Sequence, residues 1–303
     1  MNVKKITINL ILYITLIVLA IVFISPLVIV GYNSFKNKLN IMSAPFELPN
    51  PETFDTSNYL RGIINSEFFG KAVSKLIVGD NETYSFAVER MNSIGAFGRS
   101  LFITVFSVIL ILLCASMAAW YITRSDSKIC KILYYVLVFS MVVPFQMVMY
   151  TMTSTVTKLG LNNPLGIIAV YLGFGAGLSV FMYCGFIKNV PVQVEEAAMI
   201  DGCNPIQTFF MIVFPILKPI TVTVAILETM WIWNDYLLPY LILGSKYKTI
   251  PVAVQLAMQG AYGSVDWGSF MAMLVIAIIP IIIFYIFCQK YIISGVIAGA
   301  VKG

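Results

Sequence analysis

The stretch Val190-Pro-Val-Gln-Val-Glu-Glu-Ala-Ala-Met-Ile-Asp-Gly-Cys-Asn-Pro205 lies between two long apolar segments and begins with the features of a short helix. Glu195 and Glu196 stand near the start of this helix, where the helix dipole favours negative charge. Two alanines then extend the helix without adding bulk. Gly202 stands where the helix would end, and Pro205 stands where a second helix would begin. The stretch therefore predicts a helix–turn–helix connection between two apolar segments.

The second helix of this connection carries apolar side chains at positions i, i+3, i+4, i+7 and i+8, a spacing that covers one face of a helix. The members of this stripe are Ile206, Phe209, Phe210, Val213 and Phe214. Periodicity alone leaves two interpretations open. The connection could insert a short helix of small side chains into a groove of another protein. Alternatively, it could be an amphipathic helix that only anchors the loop at a membrane surface.

Outside this connection, the composition indicates a membrane protein. Of the 303 residues, 59% are hydrophobic and 11% are charged, whereas soluble chains carry roughly 25% charged residues. A bilayer accommodates apolar surface that a single water-soluble core could not bury. Six segments are long enough to cross it, which predicts an all-α polytopic membrane protein with six transmembrane helices. The segments are Ile8–Val30, Leu101–Thr123, Ile132–Met152, Pro164–Ile187, Ile220–Tyr240 and Phe270–Ile292.

These spans divide the chain into three parts. We expect residues 1–32 to form an N-terminal transmembrane helix and residues 33–97 to form a polar extracytoplasmic segment. Residues 98–303 would then form a core of five transmembrane helices. This core includes the connection at about 188–219 and a C-terminal tail at 293–303.

The basic residues predict that both termini face the cytoplasm, because short cytoplasmic loops carry an excess of lysine and arginine. The short outer loops hold only three lysines, whereas Arg99 and two lysines near span ends on the outer side dilute this pattern. With this orientation the cytoplasmic segments hold Lys4, Lys5, Arg124, Lys128, Lys131, Lys188, Lys218, Lys290 and Lys302.

Several classes of chemistry are excluded by the composition. The chain has no histidine, so Ser-His-Asp catalysis, Cys-His catalysis and histidine metal sites are ruled out. No ATP-binding loop occurs, and Gly173–Gly177 lies within a predicted span, where it favours close helix packing over phosphate binding. A net charge of +5 without a basic run makes nucleic acid a poor candidate partner. We therefore expect a transport subunit rather than an enzyme, with no catalytic residues and no metal ligands.

The connection also carries a family motif. Glu196-Ala197-Ala198, then Gly202 and Ile212-Val213-Phe214-Pro215 resemble the EAA loop of ABC importer permeases, whose pattern is E-A-A-x3-G-x9-I-x-L-P. The chain departs from this pattern at Phe214, where leucine is usual. The longer form, with Cys203 in place of the usual alanine, resembles the carbohydrate branch, the maltose-transporter type. Three further segments are similar to motifs of that branch, namely Met141–Gln146, Trp233–Pro239 and Gly295–Gly303.

This resemblance implies a bacterial cell-membrane permease, surrounded by lipid, that pairs with a second, related permease subunit. It also implies two cytoplasmic ATPase subunits and an extracytoplasmic sugar-binding protein. ATP and magnesium would bind to the ATPase, and this chain would bind no cofactor. The helix from Glu196 to Gly202 would couple the permease to the ATPase, and the C-terminal tail would contact the ATPase through Gly299 and Lys302. The implied coupling residues are Glu195, Glu196, Ala197, Ala198, Asp201, Gly202, Pro205 and Pro215.

Polar residues within the spans predict a substrate path, because such residues are expensive in a bilayer and therefore indicate function. In the fifth predicted span, Glu228, Trp231 and Asp235 share one helix face, and Asn234 lies beside them. Carboxylate and amide groups with a flat aromatic ring suit a sugar, and Gln146 in the third span adds an amide. The alternative interpretation is that these residues form hydrogen bonds with the partner permease.

Two other functions stay open at this point. The first is an ABC permease for another solute, such as a polyol, glycerol phosphate or an amino acid. The second is an ion-coupled carrier, which predicts inverted repeats and broken helices. Neither of these features is evident in the sequence.

Overall fold

The computed structural model describes residues 3–79, 82–89, 91–259 and 265–300. Within these ranges the regular elements are helices, and one isolated antiparallel bridge joins Lys36 to Phe54. The first five helices are α1 (Val3–Asn33), α2 (Lys38–Ser43), α3 (Ser57–Asn65), α4 (Lys71–Val78) and α5 (Glu82–Glu89). The next five are α6 (Ala96–Arg124), α7 (Lys128–Ser140), α8 (Phe145–Lys158), α9 (Gly166–Ile187) and α10 (Gln193–Ile200). The remaining elements are α11 (Pro205–Gln207), a π-helical turn (Thr208–Val213), α12 (Phe214–Ile216), α13 (Lys218–Asn234), α14 (Leu237–Leu243), α15 (Ile250–Gln259) and α16 (Trp267–Ala300).

Four helical segments of the described chain are long and apolar enough to cross a membrane. They are Ile8–Asn33 of α1, α6, α9, and Trp267–Lys290 of α16. Two further pairs of helices meet the same criterion only as pairs, and each pair is bent at a short break. The described residues therefore contain four candidate membrane helices, or up to six if each bent pair is one span. The predicted all-helical class is confirmed, and the predicted number of six is the upper end of this range.

Proline explains the first bent pair, in which the direction of the chain changes by 106° between α7 and α8. The helices end at Ser140 and resume at Phe145, and Pro144 between them has an extended backbone (φ −60°, ψ 133°). Proline has no N–H group and disfavours a helical conformation in the residue before it. The prediction of one continuous helix over Ile132–Met152 is therefore wrong. The second pair, Pro205–Ile216 with α13, is bent by 78°.

The predicted span Ile220–Tyr240 is also interrupted, because α13 ends at Asn234. The backbone of Asp235 is extended (ψ 121°). Its Oδ1 atom accepts hydrogen bonds from the backbone N–H groups of Leu237 (3.0 Å) and Leu238 (3.4 Å), the first residues of α14. A side-chain oxygen that accepts from these groups starts a new helix. The structure therefore contains broken helices, a feature that was not evident in the sequence.

The contacts divide the chain into two compact units, and the first comprises Met1–Gly95 with Ala253–Pro280. In this unit the side chains of residues 8–24 of α1 are exposed, as expected for an apolar helix that faces lipid. A polar network holds α3: Arg61 donates to Asp55 (3.3 Å) and to Asp266 (3.2 Å), next to the start of α16. A Cβ atom at Gly62 would lie 2.9 Å from the carbonyl oxygen of Ser269, so α3 packs directly on α16.

The second unit comprises Ala96–Val252 with Ile281–Gly303. Its centre is α6 packed along α9, with α7 and α13 against this pair. A Cβ atom at Gly175 would lie 2.7 Å from Cδ1 of Ile111, and one at Gly177 would lie 2.7 Å from the carbonyl oxygen of Leu137. The prediction that this glycine-rich segment allows close helix packing is therefore confirmed for these two glycines.

An apolar cluster fixes the connection between α9 and α13 to the C-terminal ends of α6 and α9. Phe209 and Val213 of the π-helical turn are each 1% exposed and pack in one cluster with Ala119 of α6 and Tyr183 of α9. Burial of such side chains stabilises a fold by roughly 1.5–3 kcal/mol each. The predicted helix–turn–helix connection is therefore held against the helices that it joins.

Candidate functional site

The turn after α10 has a backbone conformation that favours glycine. The φ angle of Gly202 is 89°, in the left-handed region that residues with a Cβ atom rarely adopt. The N–H group of Gly202 donates to Met199 (3.1 Å), and that of Cys203 donates to Ala198 (3.0 Å). This pair of bonds is a Schellman motif, a common end of a helix. A Cβ atom at Gly202 would meet no heavy atom within 4 Å, so conformation rather than space requires glycine.

The helix after the turn begins with a capping box. Oδ1 of Asn204 accepts from the N–H group of Gln207 (2.9 Å), and Oε1 of Gln207 accepts from that of Asn204 (2.9 Å). These reciprocal bonds satisfy N–H groups that have no partner within the helix. The helix begins at Pro205, as predicted, and α10 begins at Gln193. The predicted helix–turn–helix connection is confirmed.

The two faces of α10 differ in exposure. Ala198 is 6% exposed and packs inward, whereas Met199 and Ile200 are 52% and 85% exposed. Exposed apolar side chains at the end of a helix suit contact with another protein or with lipid. The other predicted coupling residues on the exposed side are Glu196, Ala197, Asp201, Gly202 and Pro205.

Glu195 has a different environment from Glu196, because it is 3% exposed. Its Oε2 atom accepts a hydrogen bond from Nε1 of Trp120 (2.9 Å). Its Oε1 atom accepts from Nε (2.9 Å) and Nη2 (2.7 Å) of Arg124. Nη2 of Arg124 also donates to the carbonyl oxygen of Val190 (2.9 Å). We call Glu195, Trp120 and Arg124 the Glu195 clamp.

The sequence did not indicate a role for Trp120, and it indicated Arg124 only as a cytoplasmic charge. The two residues are four apart, so they lie on the same face of α6. A tryptophan and an arginine one turn apart at the end of an apolar span place several N–H donors together, and this is the signal that could have indicated a buried carboxylate partner.

The second helix of the connection does not follow the predicted stripe. Thr208–Val213 forms a π-helical turn, in which hydrogen bonds join residues five apart. The wider turn buries Thr208 and Phe209, whereas Ile206 and Phe210 are 67% and 44% exposed. The predicted spacing assumed α-helical geometry, so its placement of all five residues on one face is wrong.

Three more predicted contact residues lie elsewhere. Pro215 is exposed in α12. Gly299 lies in the last turn of α16, which ends at Ala300. Lys302 lies outside the described residues, so its predicted contact with an ATPase stays a prediction.

At the end of α13, the structure brings two predicted substrate-path residues together through a third residue. The hydroxyl group of Tyr171 donates to Oδ2 of Asp235 (3.0 Å), and its ring lies 5.5 Å from that of Trp231 at 89°. Tyr171 is 0% exposed, whereas Trp231 is 41% exposed. Asp235 lies beyond the end of α13, so the contact through Tyr171, rather than a shared helix face, groups it with Trp231.

Glu228 is buried within its own chain, at 2% exposure. Its Oε1 atom accepts a hydrogen bond from the hydroxyl group of Ser179 (2.9 Å), while Oε2 is buried without a hydrogen-bond partner among the described residues. A Cβ atom at Gly175 would lie 2.9 Å from Oε2. The absence of a side chain at Gly175 therefore makes the space for this carboxylate.

The remaining predicted path residues are on the surface of the chain. Asn234 is exposed, and its Nδ2 atom donates to the carbonyl oxygen of Met230 (2.7 Å). Gln146 is exposed in the first turn of α8. Contact of either residue with a substrate stays a prediction. In the described part of the chain, no three Cys, Asp or Glu side chains are grouped so that they could hold a metal ion.

A comparison with protein families matches residues 111–297 to the binding-protein-dependent transport system inner membrane component. This range includes α9, the α10 connection and α13, but it excludes α1 to α5. The match therefore covers most of the second unit and residues 253–280 of the first unit.

Several permease proteins of other organisms are similar over most of their length. The probable starch degradation products transport system permease protein of Thermoanaerobacterium thermosulfurigenes is 36% identical over 287 residues, which cover 94% of each chain. The multiple sugar-binding transport system permease protein of Streptococcus mutans is 37% identical over 295 residues, 96% of each chain. A solved structure, of a bacterial ABC transporter involved in the import of the acidic polysaccharide alginate, has a TM-score of 0.70 at 19% identity. It covers 96% of this chain and 98% of the other, and at that identity it shows the shared fold.

Proposed function

This chain belongs to the binding-protein-dependent transport system inner membrane component family, and we propose that it is a permease subunit of an ATP-driven sugar importer. It would form half of the translocation path and pair with a second, related permease. Two ATPase subunits would bind ATP and magnesium and would dock on the cytoplasmic side. An extracytoplasmic binding protein would deliver the solute.

The proposed arrangement in the bacterial inner membrane has six spans, in which the bent α7–α8 pair counts as one span and α13 as another. Both termini and the α9–α13 connection would then face the cytoplasm. The distribution of basic residues supports this orientation, because short cytoplasmic loops carry an excess of lysine and arginine.

One observation carries the proposal: the end of α10 is exposed, while its other face is buried against the rest of the chain. Gly202 ends the helix in a Schellman motif, and Met199 and Ile200 stand exposed at its tip. The opposite side is held by Ala198 and Glu195, which are buried. A short helix with an apolar tip and an exposed carboxylate at Glu196 suits insertion into a groove of another protein. We assign that groove to the ATPase.

The solute would contact the chain at the C-terminal end of α13. The ring of Trp231 is exposed, and aromatic faces pack well against sugar rings. Asn234 adds an exposed amide beside it. Tyr171 holds Asp235 by a hydrogen bond of 3.0 Å, so this carboxylate would be oriented before the solute arrives.

The names of the similar proteins support a sugar as the solute. One is named for starch degradation products and another for multiple sugars. A third, 35% identical over 226 residues (73% of this chain and 80% of the relative), is the melibiose/raffinose/stachyose import permease protein of Bacillus subtilis. We therefore propose an oligosaccharide as the substrate class.

The test begins with the tagged chain purified from its native membranes in mild detergent. We expect an ATPase, a second permease and a binding protein to co-purify and to be identified by mass spectrometry. Ile200→Asp places a charge on the apolar tip of α10 and should lower the recovered ATPase by about tenfold or more, the effect of losing an interface hot spot. Asp126→Asn, at an exposed position on the loop between α6 and α7, is the matched control and should keep the ATPase.

Uptake into proteoliposomes then identifies the solute class. ATP-dependent uptake of maltodextrins or raffinose supports an oligosaccharide, whereas selective uptake of glycerol phosphate or a polyol would correct the substrate. Uptake that persists without ATP and collapses when the ion gradient is dissipated would overturn the proposal in favour of an ion-coupled carrier.

A further inference from the structure

We infer that the Glu195 clamp fastens the α9–α13 connection to α6, so that a displacement of α10 moves α6 with it. The inference rests on the proposed function, because it assumes that the ATPase displaces α10. In this arrangement Glu195 is a positioning residue and not a contact of the ATPase. It separates the roles of two adjacent carboxylates, Glu195 and Glu196, that the sequence predicted together as coupling residues.

Burial and hydrogen bonding separate these roles. Glu195 is 3% exposed, and its two oxygens accept three N–H groups from Trp120 and Arg124. A carboxylate with this coordination has little capacity left for a partner protein. Glu196, one residue later, is exposed and free to turn towards the ATPase.

The clamp also connects α6 to the chain before, within and after α10. Arg124 donates to the carbonyl oxygen of Val190, which precedes α10. Trp120 and Arg124 both donate to Glu195 within α10. The ring of Trp120 lies 5.4 Å from that of Phe209, in the π-helical turn that follows. A guanidinium group that donates two N–H groups to one carboxylate restricts orientation as well as distance. The connection is therefore attached to the last turn of α6 at three points along the chain.

Helix packing would carry a displacement of α6 further into the unit. Ile111 of α6, Gly175 of α9 and Glu228 of α13 meet at one point, since a Cβ atom at Gly175 would lie 2.7 Å and 2.9 Å from the other two side chains. Close-packed interiors transmit small shifts because they contain little free volume. The clamp would thus connect the proposed docking helix to α13, which carries the proposed solute contacts.

The experiment measures coupling in the full reconstituted complex, as ATP hydrolysed per solute molecule imported. Glu195→Gln removes the charge but keeps the shape, and we expect the ratio to rise by about tenfold, the order of one lost charge-assisted hydrogen bond. Trp120→Phe removes the N–H donor and keeps a smaller aromatic ring beside Phe209, so we expect a rise of about threefold. Arg124→Lys keeps the charge without the two-bond geometry and should fall between them. The ratio is independent of how much protein folds, so a purely structural role would not move it.

Two matched variants complete the design. Glu196→Gln is the same change one residue later, and it should lower the amount of ATPase that co-purifies, whereas Glu195→Gln should keep that amount. Asp126→Asn removes an exposed carboxylate from the neighbouring α6–α7 loop and should change neither quantity.

An unchanged ratio in both Glu195→Gln and Trp120→Phe would overturn the inference. So would loss of the ATPase from Glu195→Gln, because Glu195 would then be a docking contact. If Glu195→Gln does not fold, the milder Trp120→Phe and Arg124→Lys decide. A wild-type complex without an ATPase would overturn the proposed function itself, and this result is obtained before any variant is compared.

Discussion

Two buried glutamates in the second unit have almost the same exposure and very different surroundings. Glu195 is 3% exposed and Glu228 is 2% exposed. Glu195 accepts three N–H groups, two of them from the cationic side chain of Arg124. Glu228 accepts one hydroxyl group, from Ser179, and its Oε2 atom is buried without a hydrogen-bond partner among the described residues.

The difference shows two ways in which a fold accommodates a buried carboxylate. Glu195 depends on a partner charge, since a buried ion left alone costs several kcal/mol. Glu228 depends on space, since Gly175 has no side chain where the carboxylate lies. Loss of the partner charge should therefore destabilise the Glu195 site most, whereas added side-chain volume should destabilise the Glu228 site.

Arg124→Leu should have the largest effect on stability. It leaves the carboxylate of Glu195 buried without its cation, which costs about 3–5 kcal/mol in comparable cases. The measurement is the thermal unfolding midpoint of the purified chain in detergent, together with its yield in the membrane.

A double variant provides the control for that prediction. Arg124→Leu combined with Glu195→Leu removes both charges, and apolar replacement of a complete buried pair is often nearly neutral. The double variant should therefore be more stable than Arg124→Leu alone. Equal or lower stability would mean that the ion pair is not what makes Arg124 important.

Gly175→Ala should have the next largest effect. The added Cβ atom would lie 2.7 Å from Cδ1 of Ile111 and 2.9 Å from Oε2 of Glu228. Such overpacking costs typically about 1–3 kcal/mol. Gly173→Ala, two residues earlier in α9, is the control, because its Cβ atom would meet nothing within 4 Å. Equal stability of the two variants, measured by thermal unfolding, would contradict the dependence of the Glu228 site on space.

Gly202→Ala should have a smaller effect that reaches only one of the two glutamates. A residue with a Cβ atom at φ 89° is strained by about 1–2 kcal/mol, and the strain acts at the end of the helix that carries Glu195. We expect the change in the free energy of unfolding caused by Gly202→Ala to be non-additive with that of Glu195→Gln, because the two sites are coupled. It should be additive with that of Glu228→Gln, because independent sites add. Gly185→Ala in α9, where a Cβ atom would meet nothing within 4 Å, is the control. If the effects on the free energy of unfolding were additive with both glutamate variants, the turn at Gly202 and the Glu195 clamp would not be energetically coupled.

The sequence predicted the helix–turn–helix connection correctly because its signals are local. Gly202 adopts a left-handed conformation that favours glycine, and Pro205 occupies the first turn of a helix. In both cases the residue type indicates the backbone conformation at its own position. Hydropathy likewise located the long apolar helices. It could not show the breaks at Pro144 and Asp235, because an apolar segment stays apolar whether or not its helix is continuous.

The contacts of the candidate sites were harder to predict, because they join residues far apart in the chain. Trp120 and Glu195 are separated by 75 residues, and Tyr171 and Asp235 by 64. The local segments offer donors and acceptors, but they do not specify which donor meets which acceptor. The sequence grouped Glu195 with Glu196 by adjacency, whereas the structure buries Glu195 against Trp120 and Arg124 of α6 and leaves Glu196 exposed.

An ionic network in the first unit extends the comparison to carboxylates that are partly exposed. Arg61 donates to Asp55 and Asp266, whose side chains are 26% and 37% exposed. Burial raises the pKa of Asp55, but hydrogen bonds from Ser57 and from Arg61 outweigh it and hold the pKa below the usual value of 3.8. The pKa of Asp266 is also lowered, since burial is outweighed by hydrogen bonds from Ser269 and by Arg61.

The smallest predicted effect is the pH dependence of this network. A carboxylate whose pKa is lower in the folded chain stabilises the fold above its unfolded pKa of about 4. That contribution is lost as the pH falls through the lower, folded pKa. Solvent screens partly exposed pairs, so we expect Arg61→Gln to lower the free energy of unfolding by no more than about 1 kcal/mol at pH 7 and by less in high salt.

The measurement compares thermal unfolding midpoints of both forms at pH 7 and below pH 4, with Glu52→Gln, at an exposed position, as the control. The difference between wild type and Arg61→Gln should shrink in acid, and a difference that grows there would mean that Arg61 does not stabilise the fold through the ionised carboxylates. If Arg61→Gln lowered the stability as much as Arg124→Leu, the contribution of a carboxylate to stability would depend on its partner charge and not on its burial.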